Sequence, residues 1–238
     1  MEQYYKIADL TVKMDTFGRT ERQALPYRIS ARDPADMRLE SRYQELKAAR
    51  PEMDAETCEH ITSGKQFYYH LLQYDGMVLH AAAVAMDGKA YLFSADSGVG
   101  KSTHADLWQQ VYGKDRVQFI NDDKPALRWR EGAWYVYGTP WCGKRGLHQN
   151  LCCPLAGIAL LERSAKNSVE PYKKDDVVFR LLKQTYRFRD AQKNEKVLSL
   201  IGCLLEHVPV WRLQCNMEPE AAILAQAAMT KMAQRRIP

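Results

Sequence analysis

The chain has 238 residues, with 34 Lys and Arg against 29 Asp and Glu, for a net charge of +5 with histidine neutral. This length supplies one large domain with its own core, and 46% apolar with 26% charged residues excludes wholesale disorder. No apolar run approaches the roughly 18 residues of a membrane span, and the start Met1-Glu2-Gln3-Tyr4-Tyr5-Lys6 lacks the regions of a signal peptide. The six cysteines form no Cys-x-x-Cys pair, so a cytoplasmic protein with free thiols is expected.

The first seventy residues are the more polar part. Ile7 to Val12 alternates like a strand, residues 31 to 50 predict a loosely packed surface segment, and Pro51–Ile61 and Lys65–Gln73 predict two short helices. Residues 1–70 are therefore expected as an accessory segment packed on a main domain of residues 71–238. Met77 to Met86 predicts one strand and Lys89 to Ser94 a second. Asp87-Gly88 between them is a strong hairpin signal, because both turn positions need positive φ.

Val117 to Ile120 is a further short strand, and Ala126–Arg130 and Ala133–Tyr137 predict a second hairpin around Glu131-Gly132. Leu155 to Leu161 follows as a buried strand. Val178, Leu181 and Leu182, then Val197, Ile201, Leu204 and Val208, keep a helical period. Val210–Leu213 predicts a strand before a last helix with Pro219 in its first turn. Basic residues gather late, at Arg180, Lys183, Arg187, Arg189, Lys193 and Lys196 and in Arg235-Arg236. They lack the interleaved aromatics of a nucleic-acid platform. Neither nucleic acid nor a membrane is an expected partner, and an oligomer is left open.

Chemistry concentrates in Ala95-Asp96-Ser97-Gly98-Val99-Gly100-Lys101-Ser102-Thr103, between a strand and a helix. Apart from Ala95, which stands where the P-loop pattern has glycine, the positions match it. Gly98 and Gly100 let backbone N–H groups curl around a phosphate, and the helix N-terminus adds its dipole. Lys101 would reach the β and γ phosphates and Ser102 would bind Mg²⁺. The alternative is a plain glycine turn. A second feature, Asn121-Asp122-Asp123-Lys124, closes the strand ending at Ile120. One carboxylate there suits Mg²⁺ and its neighbour suits proton transfer; otherwise it is a polar turn before Pro125.

The Leu79-His80 strand, the Ala-Asp-Ser-Gly-Val-Gly-Lys-Ser loop and the Asp122-Asp123 pair resemble the catalytic domain of HPr kinase/phosphorylase. That domain shares its nucleotide core with phosphoenolpyruvate carboxykinases. Gly-Lys-Ser-Thr-His-Ala…Leu-Trp, Asn-Asp-Asp-Lys-Pro and Gly-Thr-Pro-Trp-Cys-Gly-Lys are more similar still to the uncharacterised HPr-kinase-like proteins of anaerobic bacteria. The resemblance implies an α/β fold with a phosphoenolpyruvate carboxykinase-like core, a mixed and largely antiparallel sheet, and C-terminal helices. It also implies a cytosolic phosphotransferase using ATP and Mg²⁺ on a hydroxyl of a small molecule, peptide or protein. Asp122 matches the acid/base, Asp123 then holds metal beside Ser102, and His80 matches a histidine near the phosphate. The family's phosphorylase signature is replaced by Gly138-Thr139-Pro140-Trp141-Cys142-Gly143-Lys144-Arg145-Gly146, so phosphorolysis is expected to be weak.

Four side chains carry two readings each. His80 is either near the phosphate or a core histidine. His104 either approaches the nucleotide or caps its helix turn. Lys144 and Arg145 either clamp the transferring phosphoryl group or sit on a solvated loop. Two rival functions stand beside the kinase: a nucleotide-binding regulatory NTPase without an acceptor, and carboxykinase-type chemistry on an oxoacid.

Overall fold

The computed structural model of the chain describes residues 3–30, 34–172 and 174–234; Arg235 and Arg236 lie outside the described residues. Its elements are β1 (Gln3–Ile7), β2 (Leu10–Met14), α1 (Gly18–Ala24), β3 (Arg28–Ile29), β4 (Met37–Leu39), α2 (Tyr43–Ala49) and α3 (Ala55–Leu71). They continue with β5 (Gly76–Val78), β6 (Ala81–Met86), β7 (Lys89–Ser94), α4 (Lys101–Tyr112), β8 (Val117–Asn121), β9 (Ala126–Arg130) and β10 (Ala133–Tyr137). The last third holds β11 (Cys152–Arg163), β12 (Ser168–Pro171), α5 (Lys174–Gln184), α6 (Ala191–His207), β13 (Val210–Cys215) and α7 (Pro219–Gln234). The fold is mixed α/β, and no helix among the described residues is long and apolar enough to cross a membrane.

The main sheet runs β5-β9-β10-β11-β7-β6-β8, with β13 and β12 branching from β11. Only the β11–β7 and β11–β13 pairs are parallel; the other pairs in this sheet are antiparallel. Its central strands alternate between two buried faces. Ala81, Ala83, Leu92, Ile158 and Leu160 pack with Leu181, Val197, Ile201 and Leu204 of α5 and α6. Ala82, Val84, Tyr91, Phe93 and Ala159 pack with Trp108 of α4 and Ala221, Ala225 and Met229 of α7. Burial on both faces is why these strands read as continuous apolar runs. Trp108 is fully buried, so its truncation to Ala would cost about 3–5 kcal/mol.

Asp87-Gly88 and Glu131-Gly132 all have positive φ, as tight antiparallel hairpins require. Other stretches differ from expectation. Ile7–Val12 is two strands around Ala8-Asp9, both at positive φ. This turn is costly for residues with a Cβ, and three side chains of β9 and β10 hold it. Arg128 donates to Ala8 O at 2.7 Å, Tyr137 donates to Asp9 at 2.9 Å, and Arg130 pairs with Asp9.

The two expected helices across residues 51–73 are one helix, α3. Asp54 caps it by accepting from Thr57 N at 2.7 Å. The described part of the 31–50 stretch, residues 34–50, is more regular than its charge suggested, since β4 joins the N-terminal sheet and buries Met37 and Leu39. That sheet runs β3-β1-β2-β4. Its core of Tyr5, Ile7, Val12 and Tyr27 is continuous with Phe67 and Tyr68 of α3 and with Tyr137 and Trp141.

Met77–Met86 breaks into β5 and β6 because the strand changes partners. β5 pairs with β9, whereas β6 pairs with β7 and β8. His80 sits at the break, where the chain must leave one pairing for the other. That interruption places it at the sheet edge rather than within an apolar strand.

Candidate active site

Sheet direction brings the chemical residues together. β6 is antiparallel to both β7 and β8, so the C-terminal ends of β7 and β8 meet the start of β6 at one edge. The register sets Ala81 opposite Ser94 and Ala83 opposite Asn121. Three segments far apart in sequence thereby converge: the 95–103 loop, His80, and Asp122-Asp123. Carboxyl edges of strands are where α/β sheets place ligands.

In the loop, Gly98 and Gly100 have φ of 80° and 126°, conformations that side chains rarely adopt. Arg163, at the end of β11, donates to Val99 O at 3.2 Å and also bonds Gly98 O. Lys101 is only 7% exposed and folds back so that Nζ donates to Ala95 O at 3.0 Å and Asp96 O at 3.3 Å. Burial lowers its pKa, while the neighbouring Asp123 opposes that shift. Ser102 is half-buried, and Asp96, Ser97 and Thr103 are exposed.

The acidic pair is shaped by Asn121, which the sequence reading did not single out. Its buried side chain accepts from the N–H groups of Asp123 (2.8 Å) and Lys124 (2.7 Å). Its Nδ2 donates to Thr139 O at 3.0 Å, and the Thr139 hydroxyl donates to Lys124 O at 2.8 Å. The turn is thus a closed network that presents the two carboxylates differently. Asp122, 5% exposed, accepts from Gly143 N at 2.6 Å. Burial raises its pKa, and the Gly143 bond opposes the rise. A Cβ on Gly143 would lie 3.0 Å from Asp122 Oδ2, tight enough that the carboxylate would have to shift by a few tenths of an ångström.

Asp123 is more open. Its Oδ1 meets His80 Nε2 at 3.3 Å and Lys124 Nζ at 3.1 Å. His80 Nδ1 lies 3.0 Å from Gln184 Oε1, and Gln184 Nε2 donates to Asp96 Oδ1 at 2.7 Å. Gln184, at the end of α5, therefore ties the loop to the histidine. A lone glutamine in a basic helix gave no signal of this in sequence. Burial lowers the His80 pKa, helped by Lys124 and Lys101 and opposed by Asp123.

Two expected site residues are placed elsewhere. His104 is 2% exposed, accepts from Trp108 Nε1 at 3.2 Å and packs edge-on to Phe93. Its ring belongs to the core under α4, away from the loop's open side. Arg145 forms a two-pronged pair with Asp106 of α4 at 2.8 and 3.0 Å and lies over the Phe119 ring. It anchors the 143–146 loop. Lys144 is exposed and has no ion pair among the described residues.

The N-terminal layer also reaches the site. Arg19 of α1 donates to Cys142 O at 2.7 Å and Gly143 O at 2.9 Å. Trp141 stacks on Phe67 and donates to Ser63 Oγ at 3.1 Å. Burial pushes His60 of α3 down to about 4, and Arg19 adds to that effect.

Mg²⁺ prefers few carboxylates and takes its remaining oxygens from water and phosphates. Ser102 and Asp123 fit that donor chemistry, with Asp123 Oδ2 unpaired among the described residues. No group of three or more His, Cys, Asp and Glu gathers as a metal cage among the described residues.

No family model matches the chain, and no curated protein matches it. Among solved structures it is similar to the Hpr(Ser) kinase/phosphatase from Coxiella burnetii. The TM-score is 0.37 and the identity 12%, over 66% of this chain and 93% of that one.

Proposed function

We propose that this protein is a kinase that moves the γ-phosphoryl group of ATP to a hydroxyl of a small molecule or of a Ser or Thr side chain. Residues 71–238 form the catalytic unit, with a nucleotide core of the phosphoenolpyruvate carboxykinase type, and residues 1–70 pack on it. One observation supports the reading above others: the β6–β7 and β6–β8 registers bring the glycine loop with Lys101 to the same edge as a half-open carboxylate, Asp123, with a second, tightly held carboxylate beside it.

The loop N–H groups would surround the phosphates, and Lys101 would exchange two carbonyl oxygens for the β and γ phosphates. A cavity of about 250 Å³ beside the loop, lined by Ala95, Val99, Arg163 and Gln184, accommodates the nucleoside side. Bound Mg²⁺, held by Ser102 and Asp123, supplies neutralisation of phosphate charge. The acceptor oxygen bonds to the γ phosphorus as the bond from that phosphorus to the β,γ-bridging oxygen breaks, and ADP leaves. The acceptor's proton passes to the Asp122 carboxylate. Gly143 N–H fixes the direction in which that carboxylate points. His80 orients Asp123 through its own bond to Gln184.

The test is transfer from γ-labelled ATP across amino acids, polyols, hydroxy acids and peptides. Asp122→Asn is expected to keep MgATP affinity while transfer falls about 10²–10⁴-fold, the usual share of a general base. Asp123→Asn is expected to raise the Mg²⁺ concentration needed for half activity. Reversed effects would exchange the two roles. Unchanged transfer in both variants would reduce the pair to a turn before Pro125.

A further inference from the structure

Arg19 is a half-buried cation without a counter-ion. Among the described residues no carboxylate lies within ion-pair reach of it: Nη2 donates to the carbonyls of Cys142 and Gly143, and its other contact is the Cys142 thiol. The nearest acidic groups do not compensate it. Asp122 is turned onto Gly143 N, and burial pushes the Cys142 thiol up to about 12, so it stays neutral. Nearby His60 is held neutral by burial. Leaving a guanidinium partly desolvated and unpaired is unfavourable, and the guanidinium fork matches a carboxylate or phosphate in two-pronged geometry.

Position gives this cation its meaning. Lys101 interacts with Asp123, Lys124 and Asp96, whereas Arg19 touches the Cys142-Gly143 segment. Gly143 links Arg19 to Asp122 directly: its carbonyl accepts from Arg19 and its N–H donates to Asp122. Only one residue therefore separates Arg19 from the carboxylate, and a hydroxyl presented to Asp122 brings its neighbouring groups toward Arg19.

Resting on the kinase reading, we propose that Arg19 recognises the acceptor, and that the acceptor carries an anionic group close to the hydroxyl that is phosphorylated. Arg19 is a positioning and specificity residue that does not touch the reacting oxygen. A free hydroxy acid and a serine followed by an acidic residue present the same chemistry.

The test uses matched probes on the full chain: glycerate against glycerol, and acetyl-Ser-Asp-amide against acetyl-Ser-Asn-amide. In wild type the anionic member of at least one pair is expected to have about 10–100-fold lower KM, the effect of a charge-assisted bond. Arg19→Gln is expected to erase that preference, read as the ratio of KM within each pair, with MgATP affinity nearly unchanged; any fall in kcat from releasing the Cys142 and Gly143 carbonyls strikes both members of a pair alike. Arg19→Lys, which keeps the charge without the fork, is expected to retain part of it. The pair that responds tells the free acid from the peptide. Equal use of both members by wild type, or a preference that survives Arg19→Gln, overturns the proposal.

Calorimetry with the same anionic probes and no nucleotide separates this claim from the kinase reading. Probe binding lost in Arg19→Gln, with no MgATP binding in wild type, sinks the kinase reading alone. MgATP binding with no measurable binding or use of any anionic probe sinks the Arg19 claim alone.

Discussion

The two sides of the Asp122-Asp123 turn are held in place by different means. On the glycine-loop side, the loop, His80 and the acidic pair are brought together chiefly by backbone: strand direction, the β6–β7 and β6–β8 registers, and two glycines at positive φ, with Asn121 and Gln184 trimming the turn and the histidine. On the other side, the 138–146 segment is held by side chains reaching from distant helices. Arg19 binds its carbonyls, Ser63 and Phe67 hold Trp141, and Asn121 and Thr139 bind one another. Backbone positioning tolerates side-chain change around it, whereas a side-chain scaffold transmits each loss to the group it supports. Substitutions on the two sides should therefore fail differently.

The largest effect is expected on the glycine-loop side. Lys101→Ala removes the cation that the proposed kinase reading sets against the phosphates, and turnover should fall by about 10³-fold or more. The glycine loop is set by β7 and α4, so the thermal midpoint should change little. Equal MgATP affinity in wild type and variant would break the comparison at its firmer end.

Next comes Gly143→Ala, which tests the side-chain scaffold. The new Cβ would meet Asp122 Oδ2 at 3.0 Å and both other carboxyl atoms at 3.1 Å, displacing the carboxylate. The carboxylate would have to give by a few tenths of an ångström; since a misplacement of 1 Å costs about 10²-fold in rate, the fall should be smaller than that, about severalfold to tenfold, while MgATP affinity should hold. The pH profile gives a second reading. Because burial raises the Asp122 pKa, the carboxylate of the proposed base is lost as pH falls through a value above that of an ordinary aspartate. The acid limb of kcat/KM should lie correspondingly high, and Asp122→Asn should remove it.

This contrast also explains what was legible in the sequence. The Gly-x-Gly-Lys-Ser run, the Asp-Gly turn and the acidic pair are local patterns whose geometry follows from backbone rules; the first and last meet at one sheet edge because the Asp-Gly hairpin at the opposite end sets β6 against β7. Gln184 and Arg19 act through long-range bonds spanning 104 and 123 residues, and no local spacing encodes those; Asn121 forms a local turn with Asp123 and Lys124, but its tie to Thr139, 18 residues on, has no such signal. His104 misled for the opposite reason. Its place beside Thr103 suggested the phosphate site, but helical geometry turns that position toward Phe93 and Trp108. The Ile7–Val12 strand failed because Ala8-Asp9 has no glycine to announce a turn that Arg128, Arg130 and Tyr137 stabilise from another sheet.

A smaller effect, on stability rather than rate, is expected within the N-terminal layer. Glu59 is 1% exposed and burial pushes its carboxyl up to about 7. The Thr20 and Ser63 hydroxyls lie near, yet neither carboxyl oxygen has a hydrogen bond of ordinary geometry. The folded chain thus holds a proton that the unfolded chain releases above about 4.5. The stabilisation is complete below that pH and is lost as pH rises through about 7. The interval corresponds to on the order of 3 kcal/mol. Glu59→Gln should accordingly flatten the fall in stability between pH 5 and 8 (~5–10 °C in Tm at the alkaline end). An unchanged pH dependence would show that Glu59 ionises freely in the fold.

The smallest effect is expected at Arg145, and it separates two adjacent cations that the sequence treats alike. Arg145 and Asp106 form an exposed pair, with side chains 47% and 44% accessible. Such pairs contribute about 0–1 kcal/mol, so Arg145→Ala should shift stability by no more than that. Its guanidinium is already engaged by Asp106 and Phe119, and kcat should stay within about twofold. Lys144, one residue earlier and free of ion pairs among the described residues, is the cation of this loop able to turn toward a transferring phosphoryl group. Lys144→Ala should then lower kcat about tenfold or more at constant MgATP affinity, as loss of a group acting on developing charge does. The opposite ranking would mean that Arg145 leaves Asp106 during turnover. Asp106→Asn distinguishes that case, because releasing Arg145 would then raise kcat, whereas an anchoring role predicts no gain.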